Sequence, residues 1–103
     1  MENCCIVITT TNEENAKQIA SSLVAERLAA CVQMSNINSV YEWEGEVCFD
    51  NEVLMLIKTR EAIFENVKAR IEQLHSYDLP EIIKVKIDDG NEGYMKWISQ
   101  MTR

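Results

Sequence analysis

The chain has 103 residues, of which 47% are apolar and 26% charged, and its formal net charge is −7. That length suits one domain, residues 1–103, with a core of its own. The acidic balance argues against nucleic acid and anionic membrane surfaces as partners, because both present phosphate, and most of the excess carboxylates are read as solvating surface.

Cys4 to Thr10 is apolar and β-branched, which predicts a buried strand. Thr11-Asn12-Glu13-Glu14 offers a capping box, with the threonine hydroxyl on an orphan N–H and Glu14 reaching back. The helix that follows puts Ala16, Ile19, Ala20, Leu23 and Arg27 near one face, and it is expected to end near Leu28-Ala29-Ala30. From Cys31 to Thr59 the period is that of strands. Ser39, Tyr41 and Trp43 share one face, and Glu44-Gly45-Glu46 is the expected hairpin turn. Val53 to Ile57 is an unbroken apolar run, as in a strand covered on both faces or placed at a subunit contact. Arg60 to Leu74 returns to helical period through Ile63, Val67, Ile71 and Leu74, and Pro80 forbids its extension. Glu81 to Ile87 predicts the last strand, and a short final helix is expected to carry Tyr94, Trp97, Ile98 and Met101 on one stripe.

This order spells an α+β, ferredoxin-like βαββαβ sandwich with an extra C-terminal helix. Two helices on one face of an antiparallel sheet leave the other face bare. The hairpin is long, and an exposed edge carrying Tyr41, Trp43 and Phe49 would invite aggregation in a monomer, so self-association is expected. No stretch is long and apolar enough to span a bilayer. Met1-Glu2-Asn3-Cys4-Cys5 lacks the basic-then-apolar order of a signal peptide, which predicts a cytoplasmic chain. Cys4, Cys5, Cys31 and Cys48 should then be thiols; they form no C-x-x-C, and the adjacent Cys4-Cys5 pair should point to opposite faces of its strand.

Five segments in order resemble the CutA family over nearly the whole chain. They are Glu26 to Val32, Tyr41 to Gly45, Ile57 to Thr59, His75 to Ile83, and Tyr94 to Ile98. The resemblance implies a ferredoxin-like fold similar to the PII signalling proteins, a homotrimer joined through long strand edges, and a link to tolerance of divalent cations such as copper. A copper site known in some members has a cysteine where Ile8 stands here and a histidine pair where Leu74-His75 stands. His75 is the one ligand of that set retained, and Ser76 stands where the family usually has proline.

The chemistry-bearing residues each have two readings. His75, the sole histidine, is either a copper ligand or a partner for a helix C-terminus. Cys31 is a softer candidate ligand that opens a strand and equally suits packing. Tyr41 and Trp43 either line a pocket between subunits or anchor the contact itself. Lys58 could recognise an anion or pair with a carboxylate such as Glu81. Tyr77 and Glu81, flanking Pro80 near His75, could form a polar cluster. No nucleophile elbow, phosphate loop or zinc motif accompanies them, so no enzymatic activity is expected. Gly45, Gly90 and Gly93 are too scattered to cradle a phosphate. The leading expectation is a trimer that binds copper or another divalent cation weakly. The rival is a PII-like trimeric sensor or scaffold with ligand clefts between subunits.

Overall fold

A computed structural model describes residues 3–103. Met1 and Glu2, read above for a leader, lie outside the described residues. The elements are β1 (Cys4–Thr11), α1 (Glu13–Ala25), β2 (Cys31–Trp43), β3 (Glu46–Arg60), a single 3-10 turn (Glu61–Ile63), α2 (Phe64–Leu74), β4 (Ile83–Lys86) and α3 (Glu92–Met101). The strands form one antiparallel sheet in the order β2-β3-β1-β4, the expected ferredoxin-like arrangement.

Alternation along the strands divides the sheet into two faces. Cys5, Val7, Thr9 and Thr11 of β1 face α1 and α2, opposite Thr59, Ile57, Met55 and Val53 of β3. There they join Ala16, Ile19 and Leu23 of α1 and Val67 and Ile71 of α2 in the main core. The side chains between them point the other way. Cys4 packs with Met95 and Ile98 of α3, so the adjacent cysteines do serve opposite faces. The third helix covers only that end of the second face. Ile6 and Ile8 of β1, Leu54 and Leu56 of β3, and Ile83 and Val85 of β4 remain partly or largely open to solvent.

Several boundaries differ from the sequence expectation. The α1 cap is Asn12, whose side chain accepts from the Asn15 N–H at 2.8 Å. Thr11 is still paired in β1, and its hydroxyl donates instead to Asn15 Oδ1 at 2.7 Å. The first helix stops at Ala25 because Arg27 adopts the left-handed conformation, with φ of 60°. Leu28 N–H then bonds the Leu23 carbonyl and Arg27 N–H the Val24 carbonyl, a Schellman closure that tucks Leu28 against Leu23 in the core. Arg60 closes β3 and helical winding begins at Glu61. The last strand is confined to Ile83–Lys86, which pairs with Cys5 to Ile8 of β1. On α3 the buried residues are Met95 and Ile98, whereas Trp97 and Met101 stay exposed and Trp97 stacks on Tyr94.

Glu44 and Gly45 make the hairpin turn, and both have positive φ, 50° and 82°. This is the primed geometry that matches strand twist. It fixes the register from Trp43↔Glu46 to Cys31↔Lys58. β1 pairs with β3 only as far as Thr11↔Val53, so the hairpin projects beyond the helices as a two-stranded ribbon.

Candidate functional site

The ribbon carries the site. On its face away from α1 and α2, β2 presents Tyr41 and Trp43, and the register sets Asp50 and Glu52 of β3 beside them. The segment after α2 approaches the same face with Tyr77, Asp78, Leu79 and Glu81. With Thr10 of β1 these side chains wall a cleft of about 470 Å³, within the size of small-molecule sites.

Two phenol–carboxylate pairs organise it. The Tyr41 hydroxyl donates to Asp50, and the Tyr77 hydroxyl donates to Glu52 Oε2 at 2.8 Å. The hydrogen bond to Asp50, with burial second, pushes the Tyr41 phenol up to about 12. Burial first, then the bond to Glu52, pushes Tyr77 up to about 12. Both phenols therefore stay neutral donors at ordinary pH. Among the described residues of this chain no lysine, arginine or histidine lines the cleft.

His75 sits behind this wall. Its Nδ1 accepts from the Tyr77 N–H at 3.1 Å, and its ring lies 4.9 Å from that of Tyr77. A nitrogen that accepts from an N–H carries no proton, so the proton is on Nε2, which donates to the Thr10 carbonyl at 3.0 Å. Burial holds the His75 pKa below its ordinary value, while the Thr10 carbonyl and the charge of Glu52 act in the opposite direction. The folded state thus favours neutral His75. Its stabilisation is fully present above the unfolded value of about 6.5 and is lost as pH falls from there through the lower folded pKa. Urea midpoints at fixed protein concentration should drop on acidification across that window, and drop less steeply in His75→Gln, which cannot titrate. Equal pH slopes in the two proteins would contradict this role.

The remaining candidates lie elsewhere. Cys31 is in the row Cys31–Lys58–Ile6, whereas His75 reaches Thr10, four residues further along β1. At about 3.3 Å per strand residue the separation is about 13 Å along the sheet alone. Lys58 donates to the Tyr94 hydroxyl at 3.3 Å and lies over that ring, while Glu81 lines the cleft. Among the described residues no group of three or more His, Cys, Asp or Glu side chains is arranged to hold a metal. Of the residues singled out in the sequence, the structure gathers Tyr41, Trp43, Tyr77 and Glu81 into one cleft. Sequence reasoning missed Asp50, Glu52, Asp78 and Leu79. Counting back from a two-residue turn at Glu44-Gly45 would have set Asp50 opposite Ser39 and Glu52 opposite Ile37, on the Tyr41 face.

Residues 4–101 match the family described as CutA1 divalent ion tolerance protein. The chain belongs to the CutA family. It is 44% identical to the divalent-cation tolerance protein CutA of Thermus thermophilus over 98 residues, covering 94% of this chain and 95% of that one. It is 42% identical to the chloroplastic CutA of Arabidopsis thaliana, covering 95% of this chain but only 54% of the length of that relative. The solved PII-like protein CutA of Nostoc superposes with a TM-score of 0.92 at 34% identity, covering 96% of this chain and 97% of that one.

Proposed function

We propose that this CutA chain assembles as a homotrimer that acts in divalent-cation tolerance, and that the ribbon cleft is its ligand site, completed where subunits meet. The carrying observation is the second sheet face. Ile6, Ile8, Leu54, Leu56, Ile83 and Val85 form an apolar surface that α3 does not reach. On the same face, at the far end of the ribbon, Trp43 remains 55% exposed. Contiguous apolar area of this kind marks an interaction surface. Both sheet edges, β2 and β4, are also unpaired among the described residues. A cyclic assembly covers the face, brings different edges together and stops growing once closed. Burying one aromatic side chain contributes about 2–3 kcal/mol, repeated at each contact. In this proposal the chain works in the cytoplasm, where its four cysteines would stay thiols, and it acts by binding rather than turnover, without nucleic-acid or membrane partners.

Metal binding in this reading is weak. His75 would have to give up a hydrogen bond to ligate, and Cys31 has no second ligand grouped with it among the described residues. Calorimetric titration with copper(II) should show low affinity that falls further in His75→Ala and Cys31→Ser. Tight stoichiometric binding unchanged in both variants would remove these residues from the metal role. The second reading, a PII-like small-molecule sensor, is favoured by the cleft itself, whose aromatic walls and volume suit an organic ligand better than a bare ion.

A further inference from the structure

We propose that the ribbon cleft selects a small organic ammonium ion, which lies against Trp43 and Tyr41 and is neutralised by the carboxylates of Asp50, Glu52, Asp78 and Glu81. This rests on the cleft being a ligand site and names the chemistry of what it takes.

Three observations converge. The first is size: about 470 Å³ is far more than one metal ion fills, and it matches a molecule of several heavy atoms. The second is the sign of what faces the space. Four carboxyl groups and, among the described residues of this chain, no basic side chain line it, and none of the four has an ion-pair partner among those residues. Both phenol donors already point at Asp50 and Glu52. The Thr10 hydroxyl and the indole N–H of Trp43 are the other side-chain donors, so an anion would meet mostly acceptors and π faces. The third is how the charge is distributed. A hard divalent ion needs several oxygens converging at about 2.0–2.6 Å, and no such group forms among the described residues. Carboxylates spread around a cleft with aromatic walls instead suit a cation of low charge density, which gains from ring quadrupoles as well as from charge.

Calorimetry on the intact assembly tests this with two pairs of probes: butylammonium against butanol, and putrescine against butanediol. In each pair the shapes are similar and only the charge differs. The expected result is binding of one or both amines, at least tenfold tighter than the matching alcohol. The double variant Asp50→Asn, Glu52→Gln should weaken amine binding at least tenfold. Its amide oxygens can still accept from Tyr41 and Tyr77, so its melting temperature and assembly mass should match the parent. The variant Asp78→Asn, Glu81→Gln, which alters exposed residues outside those pairs, should weaken binding in the same direction. Alcohols binding as well as amines would overturn the inference and leave the cleft as a ligand site of another class. No heat from any probe, with tryptophan fluorescence also unchanged in a Trp97→Phe background, would overturn both the inference and the cleft reading. Amine binding indifferent to all four carboxylate substitutions would place the ammonium elsewhere and overturn the inference.

Discussion

Leu56→Asp should convert the proposed three-chain particle into single chains, or into material that pellets at micromolar concentration. Leu56 lies on β3 with its side chain on the face away from α1 and α2, beside Ile8 of β1. A subunit on its own leaves this position partly open, so the new carboxylate can be hydrated there. In the trimer it would be buried without a partner. Losing the leucine removes about 1.5–3 kcal/mol of apolar burial per subunit, and burying an unpaired charge costs several kcal/mol more. A ring multiplies the penalty by its number of contacts. Sizing with light scattering reads the result directly, and a variant that keeps the wild-type mass on dilution would show that this face is not the contact.

Ile57→Ala, one residue further on, should behave in the opposite way. Its side chain is fully buried between the sheet and the helices, opposite Val7 and Val32. Truncation leaves a cavity that neighbouring strands cannot fill, at a cost of about 2–5 kcal/mol, against a total stability of about 5–15 kcal/mol for a typical domain. The assembled mass should be unchanged, because the proposed contact face is untouched. Urea unfolding at one protein concentration would reveal the loss, since the stability of an oligomer depends on concentration. A midpoint within error of wild type would mean that Ile57 is not part of the core that holds the subunit together.

The contrast between these neighbours shows what the sequence could reveal. Val53 to Ile57 is uniformly apolar, and the pattern alone left two explanations open. Only the pairing of β1 with β3 separates Val53, Met55 and Ile57, which face the helices, from Leu54 and Leu56, which do not. Elements with clear periodicity were legible: β1, both long helices and the hairpin all lie where hydrophobic spacing puts them. The misplaced boundaries have separate causes. Arg27 takes a left-handed conformation that glycine usually fills, so nothing in its identity announces the end of α1. Thr11 and Asn12 are both good caps, and the choice goes to Asn12 because β1 retains Thr11 in its ladder. On α3 the tertiary partner decides. Cys4 reaches Met95 and Ile98, which leaves Trp97 outside despite its hydrophobicity.

The cleft was partly legible for a related reason. Aromatic residues near a turn are conspicuous, so Tyr41, Trp43 and Tyr77 stood out, whereas single carboxylates in an acidic chain do not. Asp50 and Glu52 gain meaning only through the register that brings them beside Tyr41, and through the fold that carries Tyr77 to Glu52, 25 residues away in sequence. The same long-range folding parts Cys31 from His75, which no spacing rule would have predicted.

The proposed trimer requires that the uncovered sheet face be an interface. Light scattering behind a sizing column, on the unmodified protein at micromolar concentration, tests that most directly. A particle of about three times the 11.8 kDa chain mass is expected, holding that mass on tenfold dilution. A stable, soluble particle of one chain mass would contradict it, because Ile6, Ile8, Leu54 and Leu56 would then stay partly open to water and Ile83 and Val85 exposed.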